Sequence, residues 1–149
     1  SPPFHHDLAV LQSVKGDTMA AITSLQAASR LAPQEAEYHY KLGLAWSEAG
    51  QPEMALHSLR EAVRCEPRFS RAWYNLGLAL HAKGSIPESL EALAKGEAAD
   101  PADPSIPYAA ATIFAQLGRN PEAIAAAQRA LRIQPGHPEA QALLQSLPR

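Results

Sequence analysis

The sequence predicts an all-α protein built as an array of helix–turn–helix repeats, and three observations carry that expectation. Pro33, Pro67, Pro101 and Pro135 recur at a spacing of 34 residues, and Gly16, Gly50, Gly84 and Gly118 keep the same period. Leu25, Leu59, Leu93 and Ala127 form a second apolar register, and Ala28, Ala62, Gly96 and Ala130 a third. Alanine and leucine are abundant and β-branched residues sparse, which favours helix because those side chains lose little freedom there. Thirteen prolines exclude one long helix and suit many short ones stopped at regular points.

Each period divides into two helices. Over Ser70–Gly84, Trp73, Leu76, Gly77 and Leu80 fall at i, i+3, i+4 and i+7, one face of a helix. Gly84 ends it, as a residue able to take positive φ. In the second half of the preceding unit, Ala55, Leu59 and Ala62 share a face, and the helix stops near Pro67 because the residue before a proline resists the helical region. The second helices have start signals. Asp17 and Asn120 are expected N-caps. Pro52, Pro87 and Pro121 stand at or near the first helical position, where no N–H is needed, and Glu53, Glu88 and Glu122 follow, well placed against the helix dipole.

The small residues have a packing role. Gly43 or Gly77 in the first helix, with Ala55, Ala62 or Ala130 in the second, lets two backbones approach, and Leu42, Leu76, Leu59 and Leu93 fill the layer between them. One hairpin cannot bury its apolar face alone, so successive hairpins must stack and stability is largely nearest-neighbour. The units are expected at about 2–35, 36–69, 70–103 and 104–137, in one domain spanning 1–149. Pro2 and Pro3 suggest a shortened first helix. The fourth unit departs most: Pro107 stands where Trp73 stands one unit earlier, so its first helix is expected to begin near Ser105. After Pro135, Ala140, Leu143, Leu144 and Leu147 share one face and Glu139, Gln141 and Gln145 the other. That is the pattern of a terminal capping helix, about 138–147, that keeps such an array soluble.

These registers resemble the tetratricopeptide repeat, whose signature runs W-x2-L-G-x2-Y, then A-x3-F, then P. The third unit supplies Trp73, Leu76, Gly77 and Leu80, then Ser89, Leu93, Gly96 and Pro101; the second supplies His39, Leu42, Gly43 and Trp46, then Ala55, Leu59, Ala62 and Pro67. The first and fourth units match more loosely, through Leu8, Ala9 and Gln12, and through Ala110, Ala111 and Phe114. The resemblance covers nearly the whole chain. It implies a right-handed α-solenoid of four repeats plus the capping helix, and a protein that holds another protein or peptide in a concave groove lined by the first helices.

Mapped onto this chain, the ligand-facing places of that family hold His6, Tyr40, Tyr74 and Tyr108 at the fifth position and Val10, Leu44, Leu78 and Thr112 at the ninth. His81 lies at the twelfth, and Arg71 at the second. They describe a mostly uncharged channel with a ladder of tyrosines, a side chain that offers a rigid face and a hydroxyl at low entropic cost. Packing against the neighbouring unit would account for the tyrosines equally well, and the sequence leaves both readings open. The partner expected is a protein or peptide segment, uncharged or partly apolar. The charged clamp by which some members grip chaperone tails is not expected: His6, Val10, Lys41, Arg71 and Asn75 in one frame, and Tyr40, Leu44, Asn75, Ser105 and Ala109 in the next, do not collect enough positive charge to hold two carboxylates.

Composition narrows the remaining classes. A net charge of −2 lacks the basic footprint of a nucleic-acid binder, and no apolar run approaches a membrane span. Six histidines are present. His5 and His6 are adjacent and diverge on a helix; His39, His57, His81 and His137 are scattered, with no HExxH, no CxxC and no acidic cluster beside them. Neither a phosphate-binding glycine loop nor a GxSxG elbow occurs. No enzyme, metal or cofactor is therefore expected. Cys65 is a lone cysteine, expected as a half-buried hydrophobe. The chain begins with Ser1 rather than Met, as expected of a segment of a longer protein, so the absence of a visible secretory signal leaves the compartment open between cytoplasm, the default, and periplasm. The leading expectation is a monomeric protein-binding scaffold. Two alternatives stand: a targeting or substrate-presenting arm of a larger enzyme or multihaem cytochrome, as the resemblance implies, and a self-assembling array.

Overall fold

A computed structural model describes the backbone of residues 2–14 and 17–148, and the side chains of residues 3–9 and 17–148. Nine helices occupy the described residues, with no strand between them. They pair as antiparallel hairpins: α1 (Pro2–Val14) with α2 (Thr18–Leu31), α3 (Ala36–Glu48) with α4 (Pro52–Cys65), α5 (Ser70–Lys83) with α6 (Ile86–Ala99), and α7 (Ser105–Gln116) with α8 (Asn120–Ile133). The last helix, α9 (Pro138–Ser146), covers α8. Each first helix also packs on the second helix of the unit before it, so the hairpins stack in chain order. Among the described residues no helix is long and apolar enough to cross a membrane.

Two turns recur. Inside a hairpin, Gly50, Gly84 and Gly118 take φ of 74°, 89° and 73°. The residue after each glycine donates its N–H back across the turn: Gln51 to the Trp46 carbonyl, Ser85 to Leu80 and Arg119 to Phe114, each at 2.9 Å. That is the Schellman ending, and it needs the left-handed conformation a Cβ disfavours. Gly16, at the equivalent place of the first unit, lies outside the described residues. Between hairpins, the helix ends two residues before the periodic proline, and the cap N–H returns to the carbonyl four back, as from Ala32 to Ala28 and Glu66 to Ala62.

The core runs along the stack in three patches. Ala9, Ile22, Leu25 and Leu42 join the first hairpin to the second. Leu56, Leu59, Leu76 and Leu80 join the second to the third. Leu93, Ile106, Ala110 and Ala127 join the third to the fourth, with Leu143 and Leu144 of α9 packed against them.

Within a hairpin the fit is tight. A Cβ added to Gly43 would lie 2.8 Å from Leu59 Cγ, and one added to Gly77 2.8 Å from Leu93 Cγ. The fourth hairpin carries Ala111 and Ala127 at those two places, both fully buried. The first helix has gained a methyl there and the second has lost most of its side chain. Ser89, where the other units have alanine, donates its hydroxyl to the Gly77 carbonyl at 2.6 Å, so its burial leaves no polar atom unpaired.

Most boundaries fall where the registers place them, including the late start of α7 at Ser105 and the cap at Asp17, whose side chain accepts from the Ala20 N–H at 3.1 Å. Two expectations are corrected. Asn120 is the first residue inside α8 and not its cap; Arg119 takes the cap position with no side-chain capping bond to the helix backbone, as do Gln51 and Ser85 in their units, because the Schellman turn already fixes the chain there. The first helix is not shortened: α1 has 13 residues and begins at Pro2, since a proline in the first turn gives up only an N–H that has no intrahelical partner.

The tight fit predicts a compensating pair. Gly77→Ala should destabilise by about 1–3 kcal/mol through overpacking, and Leu93→Ala by about 2–5 kcal/mol through the cavity it leaves. Together they recreate the Ala111/Ala127 solution, so the double variant should lose clearly less than the sum when unfolded in denaturant. Simple additivity would show that the two side chains do not share one space.

Candidate functional site

The residues expected in the groove lie on the first helices at helical spacing, so each helix contributes one stripe: Tyr40, Leu44 and Ser47 on α3, Tyr74, Leu78 and His81 on α5, and Tyr108, Thr112 and Ala115 on α7. The stripes are tied to one another across units. The Tyr40 hydroxyl accepts from Asn75 Nδ2 at 3.3 Å, 35 residues on. The same step of 35 joins His6 Nε2 to Lys41 Nζ at 2.8 Å and His81 Nε2 to Gln116 Oε1 at 2.9 Å. The row of first helices is thus laced by one polar contact per junction.

The tyrosines are half-buried, and each leans on a neighbour. Tyr40 stacks on Phe69, ring centroids 4.8 Å apart, and packs against the second core patch. Tyr108 stacks on His137 at 5.1 Å. Among the described residues no aromatic ring stacks on Tyr74; the Arg71 guanidinium covers it at 4.6 Å and reaches on to Asp103 at 3.0 Å. Phe69, Asp103 and His137 all stand just before or at the start of the next unit's first helix, so each tyrosine marks a junction between units. The packing interpretation of the ladder therefore has direct contacts behind it, and one face of each ring is engaged.

The remaining candidates separate by what they touch. Leu44 and Leu78 are exposed, 36 % and 38 %, although they are large and apolar. Thr112 turns its hydroxyl back to the Ala109 carbonyl at 2.7 Å. His6 stacks on Tyr38 at 5.2 Å, besides its contact to Lys41. Arg71 is spent on Tyr74 and Asp103. The Val10 side chain lies outside the described residues, although its backbone belongs to α1. The surface the stripes offer is consequently two exposed leucines framed by half-used aromatic rings, with its cations already paired: Lys41 lies 3.6 Å from Glu37.

His6, His39, His81 and His137 have structural partners. His39 Nε2 lies 2.8 Å from the Pro33 carbonyl, and His137 Nδ1 accepts the Ala140 N–H at 3.1 Å as the cap of α9. Cys65 is half-buried, its thiol 3.6 Å from the Pro33 carbonyl. Among the described residues no group of three His, Cys, Asp or Glu side chains could hold a metal ion. One carboxyl is clearly shifted: two hydrogen bonds from Arg64, at 2.9 and 3.1 Å, hold Glu61 below the ordinary carboxylate range. It is a surface pair on one helix.

One contact recurs at the junctions, at the fourth residue of α3, α5 and α9. Trp73 Nε1 donates to the Pro67 carbonyl at 2.8 Å, six residues back. His39 reaches Pro33 and Gln141 Nε2 reaches Pro135 over the same six residues and the same 2.8 Å. A tryptophan at this place, a small residue four on, and a proline closing each unit form the repeat's signature in three dimensions. The family model of the tetratricopeptide repeat matches residues 6–53, 47–104 and 90–138.

The chain belongs to the tetratricopeptide repeat family.

As a tetratricopeptide repeat array it is an all-α repeat protein of a family that binds proteins or peptides. Among solved structures it is similar to MamA, 24 % identical, with a TM-score of 0.89 over 96 % of this chain and 78 % of that one. It is likewise similar to YrrB, described as a tetratricopeptide repeat protein with an unusual peptide-binding site: 23 % identity, TM-score 0.85, 97 % of this chain and 75 % of that one. A tetratricopeptide repeat protein from Parabacteroides merdae aligns with a TM-score of 0.87 at 19 % identity, over 97 % of this chain and 59 % of that one. At these identities the likeness concerns the fold. No curated protein matches the chain.

The contacts of the ladder make a stability prediction. Tyr40→Phe gives up one long hydrogen bond and should cost under about 1 kcal/mol. Tyr40→Ala removes the ring from Phe69 and the core and should cost about 2–4 kcal/mol, whereas Leu44→Ala should stay within about 0.5 kcal/mol. Chemical denaturation of the three variants checks the order. Equal losses for Tyr40→Ala and Leu44→Ala would mean that the ring does not brace the junction.

Proposed function

We propose that this repeat array is a non-catalytic, monomeric scaffold that takes an uncharged, partly apolar segment of another protein along the stripes of its first helices. The observation that carries the reading is the exposure of Leu44 and Leu78 on successive first helices, in the register next to the half-buried Tyr40, Tyr74 and Tyr108. A large exposed apolar side chain is unremarkable alone. Two at equivalent places of adjacent units, framed by aromatic rings braced from behind, make a rigid apolar track that loses little entropy on binding.

The pairing of the local charges supports the uncharged character of the partner. Arg71 is engaged by Asp103 and Lys41 by Glu37 and His6, so a partner carboxylate would have to displace an existing contact. Tyr74 and Tyr108 retain hydroxyls that can meet the backbone of an extended segment. The peptide-binding site by which YrrB is described adds to the case by family likeness alone.

Selection of a random peptide library on the whole chain tests the proposal. The enriched segments should be apolar and low in charge. Leu44→Glu combined with Leu78→Glu should remain folded by circular dichroism, since both sites are exposed, and should weaken the selected peptide at least about tenfold by placing charge against apolar contacts. Undiminished binding to this double variant would overturn the assignment of the track.

A further inference from the structure

The apolar track on the first helices runs into a pocket. Where the second and third units meet, a space of about 230 Å³ is lined by Ser47, Gly50, Pro52 and Ala55 of one unit and by Ala79 and Ala82 of the next. Its walls are alanine methyls, a proline ring and a glycine, and the Ser47 hydroxyl is the one polar side-chain group among the six. Ser47 follows Leu44 by three residues and Ala82 follows Leu78 by four, so on each helix the pocket lies one turn further along the same face. Lys83 and Glu53, next in sequence to Ala82 and Pro52, meet at 3.5 Å and tie α5 to α4 beside it.

The next junction shows what this place looks like when it is filled. One period on, His81 stands for Ser47 and Gln116 for Ala82, and His81 Nε2 lies 2.9 Å from Gln116 Oε1, bridging α5 and α7. Ile86 stands for Pro52 and Ile113 for Ala79, and both pack into the third core patch, Ile113 being 2 % exposed. Four side chains of the third and fourth units thus occupy the space that four smaller ones leave open between the second and third. The stack closes this place with two aliphatic side chains of its own where it has them.

We infer that the pocket between α3, α4 and α5 seats one aliphatic side chain of the bound segment, next to the residue that lies on Leu44 and Leu78, and that it sets which segments are accepted. The inference rests on the proposed track in placing the segment on the first helices, and it adds the anchor. The space is below the roughly 300–1,000 Å³ of small-molecule sites, which suits a single side chain. Its uncharged lining offers nothing to a carboxylate or an ammonium group, and burying either there unpaired is costly. An aliphatic group against methyl walls gains buried area instead, in a recess already formed.

A capped, uncharged pentapeptide of alternating serine and leucine tests it by nuclear magnetic resonance on the whole chain, with alanine methyls and backbone amides isotope-labelled. The peptide should shift the Ala79 methyl and the Leu44 and Leu78 amides saturably. The same peptide with glutamines for leucines should bind at least about tenfold more weakly. Ser47→His with Ala82→Gln installs the bridge of the next junction over the pocket. Both places are exposed, so the double variant should keep the circular dichroism of the parent chain, and it should bind the leucine peptide at least about tenfold more weakly. Shifts at the Leu44 and Leu78 amides without one at the Ala79 methyl overturn the pocket and leave the track standing; a saturable shift at the methyl with those amides unmoved supports the pocket and removes the track. Equal binding of the two peptides, or undiminished binding to the folded double variant, also overturns the inference.

Discussion

A hairpin of two short helices cannot bury its own apolar face, so the molecule depends on how one hairpin is fastened to the next. The fastening recurs: a side chain at the fourth place of α3, α5 and α9 donates to the carbonyl of the proline that closed the preceding helix, from His39, Trp73 and Gln141. It holds the turn, and the turn sets how the following hairpin lies on the one before. Because the donor sits on the same helix as the tyrosine beside it, this one contact also orients the row of rings along the first helices.

The third junction breaks the rule. Pro107 occupies the donor's place and has no N–H or side-chain donor to give, so the Pro101 carbonyl receives nothing from it. Proline is tolerated there because it falls in the first turn of α7 and is fully buried against the stack. The aromatic brace is altered at the same junction, where Asp103 stands in place of Phe69 or His137. Charge takes over: Arg71 links Tyr74 to Asp103, and Arg129 grips Glu97 with two contacts at 2.8 and 3.3 Å. Ile106 and the alanine-rich interface remain, but this junction lacks the fastening and leans on two partly exposed ion pairs in its place, which hold weakly and respond to salt.

Much of this was legible in the sequence, because the repeat writes its constraints at fixed places. Positive φ at Gly50, Gly84 and Gly118, the close approach at Gly43 and Gly77, and the late start of α7 all follow from single residue types with few conformational options. What the period could not disclose is what a side chain touches in the next unit. Tyr40 and Tyr74 share a register yet meet Phe69 in one case and Arg71 in the other, so a ladder of like residues turned out to be three different junctions. The cap was misplaced at Asn120 for a related reason: local preference points to asparagine, but the Schellman turn one residue earlier had already fixed the chain.

Hydrogen exchange of backbone amides across the whole chain, read helix by helix, tests most directly whether the side-chain-to-turn contacts hold the stack together. If they do, amides of α7, α8 and α9 exchange as a group before those of α3 to α6, and the gap widens as salt weakens Arg71–Asp103 and Arg129–Glu97. Uniform protection from α3 to α9, or earlier opening at the Trp73 junction than at Pro107, would contradict it.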